Sequence, residues 1–571
     1  MITTPERARR YLLFIAGMGG LLYGIDVGII AGALPYLEST ATLAWKLSTQ
    51  QLSFIVAAVL LGSVLSSLFA GALADLVGRR WCMVLAGALF TLSIPMIALS
   101  DGYIPLLLGR LLQGVSGGLI GVVVPLYLAE SLPADQRGRG AALFQLMLTI
   151  GLVGAAVIGL SQARNVDAVT QAVASLAPEQ RSAMVFAAQD HAWRTIFWLC
   201  LAPGVVFTAG SLALKESPRW LALRGGAKVK AADAPVATRD SLASRRYVLP
   251  FLLACLVLAL TQATGINSVL AYVVTILNQA GLPGSTANTA DVALKVLNAV
   301  MTVVAVVLVD RKGRKFLLKL GSGAIVLALV SAGMLFRSAE SGQVDVRPLI
   351  EAQVRDDSLA LRLDGRQLAV LGAGGSAPQQ LTVAYAYGPF TNVKSLRSDD
   401  PLLPTVLLRR EDAILDDSVI GATLRRWHLN PFADPAEGRA APLVIERAWL
   451  GTVPAEAHGW QVALAICLFV AGFAVGPGVC VWLALSELMP TRIRSNGMSI
   501  ALLINQFVST LIAAMFLPTV GFYGYSTVFF VGAGFSVLYF LTAAFLLPET
   551  KGKTLEEIEL HFTGAGKPQA T

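Results

Sequence analysis

The stretch Gly71-Ala-Leu-Ala-Asp-Leu-Val-Gly-Arg-Arg80 joins two apolar segments and returns in degraded form as Val309-Asp-Arg-Lys-Gly-Arg-Lys315, again between apolar segments. A second pair follows the same logic: Pro125-Leu-Tyr-Leu-Ala-Glu-Ser-Leu-Pro-Ala-Asp-Gln-Arg-Gly138 is echoed by Trp482-Leu-Ala-Leu-Ser-Glu-Leu-Met-Pro-Thr-Arg-Ile-Arg-Ser495. The chain therefore reads as a doubled unit. Asp75 to Glu130 is 55 residues and Asp310 to Glu487 is 177, an excess of 122. The polar stretch Arg337 to His458 is also 122 residues long, so the second copy carries an insert there.

Of the 571 residues, 55% are hydrophobic and only 14% charged, with a mean hydropathy of +0.66. A soluble domain has about a quarter of its residues charged, so this is an integral membrane protein. Twelve apolar runs approach or exceed the ~20 residues that cross a bilayer core. They cover 11–36, 51–74, 81–100, 104–128, 140–161, 194–214, 248–277, 290–309, 315–336, 459–486, 497–518 and 524–547. Arg79, Arg80, Arg137, Arg139, Arg311, Lys312, Arg314, Lys315, Arg492 and Arg494 all fall on one side, which the positive-inside rule makes cytoplasmic. Both termini are expected on that side. The first run lacks a small-residue cleavage site and carries Asp26, so it reads as span one and not as a removable signal.

The divisions expected are a six-helix unit over 1–214, a linker over 215–247, spans seven to nine over 248–336, an external domain over 337–458, spans ten to twelve over 459–550, and a tail over 551–571. The five cysteines all lie in spans, with neither a disulfide framework nor metal-ligand spacing. A net charge of +8 would suggest nucleic acid in a soluble protein, but the basic excess sits where membrane topology puts it. The insert has 13 basic and 16 acidic residues, a net of minus 3. No nucleophile and base pair appears, so no enzymatic activity, cofactor or metal is expected.

An intramembrane carboxylate costs ~2.5 to 3.5 kcal/mol on insertion scales, which makes Asp26 a functional candidate against the competing reading of a structural ion pair. Its partner by depth is Arg110, since at 1.5 Å per residue the two lie ~15 and ~9 Å inside the outer surface. Lys295 and Arg194 fall near span ends, and all four histidines lie outside the spans or at an edge. That leaves Asp26 as the one deep titratable acid. In Thr261-Gln-Ala-Thr-Gly-Ile-Asn267, Gln262 and Asn267 sit ~140° apart on an ideal helix, which suits a helix broken at Gly265 and lining a polar cavity. Gln145, Asn298, Asn505 and Gln506 are further amides at membrane depth. Singly each reads as interhelical glue worth ~0.6 kcal/mol, but together they suit a neutral, polyhydroxylated solute. Gly476-Pro-Gly-Val-Cys-Val-Trp482 combines a helix break with a ring that could face a sugar's C–H surface.

Ser161 to Trp193 reads as an external connection with a mildly amphipathic stretch. In the insert, Ser358 to Val370 reads as two alternating runs joined by a hairpin turn at Asp364-Gly365, with further short strands at Val406–Leu408 and Leu443–Ile445. A small β-containing external domain is expected.

Gly71 to Arg80, Pro125 to Gly138, Glu216-Ser-Pro-Arg219, Gln262 to Asn267, Asp310 to Lys315, Gly476 to Glu487 and Pro548-Glu-Thr-Lys-Gly552, in that order, resemble the sugar porter family of the major facilitator superfamily. The resemblance covers about 1 to 336 and 459 to 560 and excludes the insert. It implies an all-α membrane fold of twelve helices in two six-helix bundles, alternating access to one central site, a monomeric transport unit and a place in a bacterial inner membrane. By matching position, Gln145, Gln262, Asn267, Asn298, Trp482 and Asn505 resemble the family's sugar ligands. Asp26 and Arg110 resemble the coupling pair of its proton symporters. Asp75, Arg79, Arg80, Glu130, Arg137, Asp310, Arg314, Glu487 and Arg494 resemble its cytoplasmic ion-pair network. Many members carry a Gln-Gln pair where this chain has Thr261-Gln262, and the xylose/proton symporters carry Glu where it has Cys200. The implied partners are a small neutral sugar or cyclitol, a proton and the lipid bilayer. A facilitative uniporter, a proton-coupled myo-inositol transporter and a non-transporting sugar sensor are the alternatives. A sensor of this kind usually carries a longer output segment than the 22 residues after Glu549.

Overall fold

The computed structural model describes residues 5–132, 134–218, 220–221, 245–373, 377–400, 405–414, 425–426, 433–480, 488–489, 494–549 and 562. The first half is α1 (Pro5–Trp45), α2 (Thr49–Val77), α3 (Arg79–Ala98), α4 (Tyr103–Ser131), α5 (Ala134–Ala172), α6 (Pro178–Trp198) and α7 (Leu201–Leu212). The second half is α8 (Arg245–Ala263), α9 (Ile266–Gln279), α10 (Gly284–Lys312) and α11 (Arg314–Glu340), then the insert, then α16 (Glu456–Val475) and α17 (Arg494–Leu541). Among the described residues, eleven helical stretches are long and apolar enough to cross a membrane. The last holds two crossings, because Gly524 at φ 83°, ψ 166° kinks α17. Twelve crossings result among the described residues, and the chain is a multi-pass membrane protein.

The repeated motif has a repeated geometry. Gly78 at φ 99° ends α2 and begins α3, and Gly313 at φ 87° does the same between α10 and α11. A positive φ favours glycine, and here a carboxylate also occupies the space that a side chain would enter. Glu216 accepts from the Arg79 amide at 2.9 Å and the Arg80 amide at 3.1 Å, and Glu549 accepts from the Arg314 amide at 3.3 Å. A Cβ on either glycine would collide with the carboxylate beside it. Each acid thus satisfies amides that a helix N-terminus leaves unpaired and sits at the positive end of its dipole.

One sequence expectation is refined and one corrected. The connection Ser161–Trp193 is a helical hairpin, since α5 runs on to Ala172 and α6 starts at Pro178. Hydropathy marks where the apolar run ends, but the Ala- and Gln-rich sequence beyond it still favours helix. Asp364-Gly365 does not turn a hairpin. The Asp364 side chain accepts from the Arg366 amide at 3.1 Å and the Gln367 amide at 2.9 Å, which makes it the N-cap of the helix Gly365–Val370.

The insert is built on β1 (Val344–Asp345), β2 (Leu359–Leu361), β3 (Gln379–Tyr387), β4 (Phe390–Arg397), β5 (Val406–Leu408) and β6 (Leu443–Thr452). An antiparallel sheet runs in the order β1-β6-β3-β4, and β2 pairs with β5. Short helices α12 (Arg347–Glu351), α13 (Gly365–Val370), α14 (Arg410–Ala413) and α15 (Pro435–Ala440) flank the strands. Alternate residues Leu381, Val383, Tyr385 and Tyr387 of β3 enter a separate core with Ile445 and Leu450 of β6. The domain touches both halves. The Thr49 amide donates to Asn392 Oδ1 at 3.1 Å, and Lys394 Nζ donates to the Leu47 carbonyl at 2.9 Å. Arg397 reaches the Asn278 carbonyl at 3.2 Å, Gln380 bonds Gln279 at 2.8 Å, and Arg447 reaches the Phe522 carbonyl at 2.7 Å.

Candidate functional site

The break between α8 and α9 organises the polar centre of the second half. Gly265 adopts the left-handed conformation (φ 83°, ψ 15°), which ends one helix and starts the next. On a continuous helix Gln262 and Asn267 would point apart; the break brings them together, and Asn267 Nδ2 donates to Gln262 Oε1 at 3.0 Å. Both then reach α17. Gln262 Nε2 donates to Asn505 Oδ1 at 3.2 Å, and Asn267 Nδ2 lies 2.8 Å from Ser509 Oγ. Asn505 is itself fixed by donating to the Leu258 carbonyl at 3.0 Å. Below the break, the hydroxyls of Thr261 and Tyr539 lie 3.0 Å apart.

The cluster has hydrogen-bonding capacity without formal charge, and Gln262 and Asn267 are only partly buried. It can exchange bonds among its own amides for bonds to a solute's hydroxyls. Ser509, one turn after Asn505, belongs to it and was not singled out from sequence. A largely apolar cavity of about 190 Å³ also borders the break, but none of Gln262, Asn267 and Asn505 lines it, so its chemistry differs from that of the amide cluster. Asn298 is half-buried on α10 and Gln145 is exposed on α5; neither joins the amide cluster by a hydrogen bond. Trp482 lies outside the described residues.

In the first half Asp26 (2% exposed) and Arg110 (1% exposed) are both enclosed. No Arg110 nitrogen comes within 4.0 Å of an Asp26 oxygen, so the pair expected from depth alone is not a direct ion pair. Arg110 instead donates to Gln113 Oε1 at 2.6 Å and places its guanidinium 5.7 Å from the centre of the Phe197 ring. Asp26 Oδ1 and Arg110 Nε have no hydrogen-bond partner. Gly117 gives the Asp26 carboxylate its space, since a Cβ there would stand 2.6 Å from Oδ2. Tyr23, one turn earlier on α1, faces Gln506 of α17, so the acid's helix borders the second half's polar residues.

Asp26 is not the only deep acid. On α10 Lys295 and Asp291 form an ion pair of 2.7 Å with side chains 0% and 1% exposed, and Lys295 also donates to the Gly28 carbonyl of α1 at 3.3 Å. Sequence placed Lys295 near a span end and did not single out Asp291; packing against the first half encloses them.

On the side opposite the insert, Arg79 bonds Asp75 at 2.9 Å and Glu130 at 2.9 Å, and Glu130 accepts from Ser217 at 2.5 Å. Arg80 donates to the Leu212 carbonyl at 2.5 Å. Of the second half's counterparts, Arg314 is held to Glu549 through its backbone. Glu487 and the side chains of Arg137, Asp310 and Arg494 lie outside the described residues. Among the described residues no His, Cys, Asp or Glu cluster is arranged to hold a metal ion.

In the insert, burial pushes the Lys394 ammonium below its usual pKa of 10.5, against the pull of Asp412 and Glu38. Burial likewise raises the Asp412 carboxyl, against Lys394, Lys46 and Arg409.

A family profile described as "Sugar (and other) transporter" matches residues 12–240, 227–347 and 446–562, leaving out most of the insert. The facilitated glucose transporter member 12 of solute carrier family 2 from Homo sapiens is 27% identical over 95% of this chain and 84% of its own length. The proton myo-inositol cotransporter of Homo sapiens is 25% identical over 96% of this chain and 81% of its own, and the glucose transporter GlcP of Staphylococcus epidermidis 24% identical over 97% of each. The crystal structure of a D-xylose-proton symporter superposes with a TM-score of 0.63 at 20% identity, covering 95% of this chain and 99% of that one.

Proposed function

The chain belongs to the sugar porter family of the major facilitator superfamily, and from that membership we propose that it carries a neutral monosaccharide or cyclitol across the cell membrane by alternating access, in symport with a proton. The observation that carries the reading is the ring of Gln262, Asn267, Asn505 and Ser509 around the Gly265 break. Amides and a hydroxyl at membrane depth match the donors and acceptors of a sugar and carry no formal charge to balance that of an ion. The family resemblance supports Gln145, Asn298 and Trp482 as further sugar ligands, although Gln145 and Asn298 make no hydrogen bond to the cluster here. The family includes a protein named as a proton myo-inositol cotransporter, which keeps a cyclitol within the substrate class.

Asp26 is the proton carrier in this reading. It is enclosed, it has an unpartnered oxygen, and it is not locked to Arg110, so it can gain and lose a proton as the surrounding bundle moves. Arg110 stabilises the ionised form at longer range. The ion pairs of Arg79 and the contact of Glu549 with the Arg314 amide govern closure on the side opposite the insert, which the positive-inside rule makes cytoplasmic. Facilitated uniport is the second reading, favoured by Cys200 standing where the resemblance leads one to expect a second acid. Counterflow of labelled sugar in proteoliposomes tests transport, and accumulation driven by an imposed pH gradient separates symport from uniport.

A further inference from the structure

One face of α10 carries Ser285, Asn288, Asp291 and Lys295 at helical spacing; the last three are buried, and the face meets the first half through the contacts of Ser285, Asn288 and Lys295. The Ser285 amide donates to Asp167 Oδ2 of α5 at 3.1 Å. Asn288 Oδ1 sits over the crossing of α1 and α5, where Gly32 and Gly159 bring the two backbones together. Lys295 reaches the Gly28 carbonyl. The face begins beside the insert, since Gly281 abuts the Pro454 carbonyl and Leu282 packs on Gly459. It descends about 16 Å along the helix to Lys295.

This is a seam between the two halves, closed on the insert side, and it is polar where a permanent interface would be apolar. We propose that Asp291 and Lys295 set the balance between the closed and open states of this gate. The charges neutralise each other within one helix at 2.7 Å, so the second half can move away without leaving either unpaired. Asn288 Oδ1 and Asp291 Oδ1 have no hydrogen-bond partner in the closed seam and gain water when it parts. Both features lower the cost of wetting the seam, and an apolar seam of the same shape would hold shut.

Opposite signs are therefore expected from a single and a double variant. Lys295→Met leaves a buried carboxylate uncompensated and favours the open gate, whereas Asp291→Leu with Lys295→Met makes the seam apolar and favours the closed one. Spin labels on exposed Gln171 of α5 and Thr289 of α10 report the separation without any substrate. The long-distance population should rise on the order of tenfold in the single variant and fall on the order of tenfold in the double. If the single variant fails to reach the membrane, Asp291→Asn must give the same widening, and the double variant decides alone if both fail. Unchanged distances, or shifts in one direction for single and double variants, overturn the proposal. It rests on alternating access, but a chain whose gate behaves this way and moves no sugar would overturn the transport reading and leave this one standing.

Discussion

Lys394 of the inserted domain donates its ammonium to the carbonyl of Leu47, in the loop between α1 and α2, at 2.9 Å. Its neighbour Arg397, on the same strand, holds the Asn278 carbonyl of α9. The domain therefore spans the two halves on the face where they are closed. Helix α11 ends at Glu340 and α16 begins at Glu456, so a short Gly/Ser link can replace residues 341–455 without entering either helix. The shortened protein should insert in the membrane and retain basal transport, with faster thiol labelling of a cysteine placed at Thr49. Absence of folded protein from the membrane would make the domain structural instead.

The shifted groups of that domain give a pH dependence with a defined sign. Lys394 binds a proton less readily when folded than when unfolded, so its burial penalty is full at low pH and disappears as pH rises toward 10.5. Asp412 behaves oppositely: its penalty is absent below 3.8, grows as pH climbs from there to its raised value, and is constant above it. Between neutral pH and pH 10 the wild type should therefore gain thermal stability relative to Lys394→Met. Parallel melting curves across that range would contradict the assignment.

Asp26→Asn should abolish gradient-driven accumulation and leave sugar exchange measurable, because an amide cannot carry the proton. The carboxylate makes no ion pair within 4.0 Å, so its neutralisation leaves no partner stranded at contact distance. Concentrative uptake by the variant at the wild-type level would remove Asp26 from coupling.

Replacing Gln262 or Asn267 with Ala should weaken sugar binding by about 1 to 3 kcal/mol, the cost of leaving a buried partner unpaired. Ser509→Ala should act in the same direction with a smaller effect, since Asn267 keeps its bond to Gln262. Titration calorimetry on purified protein reads all three. Unchanged affinity in the first two would move the site elsewhere.

The doubled architecture was legible because its signals are local. Gly78 and Gly313 mark the same turn, and Glu216 and Glu549 stand in motifs that recur at the ends of spans six and twelve. The break at Gly265 was legible for the same reason, an amide on either side of one glycine. Asp291 and Lys295 were not, since opposite charges four apart near a span end look like a solvated turn. Their burial, with Lys295 bonded to the Gly28 carbonyl of α1, reveals that they are enclosed. The direct pairing of Asp26 with Arg110 failed similarly, because depth fixes height in the membrane and not azimuth around a helix. At Asp364-Gly365 the residues that favour a tight turn also favour a helix N-cap, and the amides of Arg366 and Gln367 decided between them.

Proton-coupled currents from proteoliposomes, recorded while hexoses, pentoses and cyclitols are applied in turn, test the central claim most directly. At least one neutral polyol should evoke an inward positive current that grows as the external pH falls and is lost in Asp26→Asn. Saturable binding of the same compound with neither current nor counterflow would contradict transport and leave a receptor on a transporter fold.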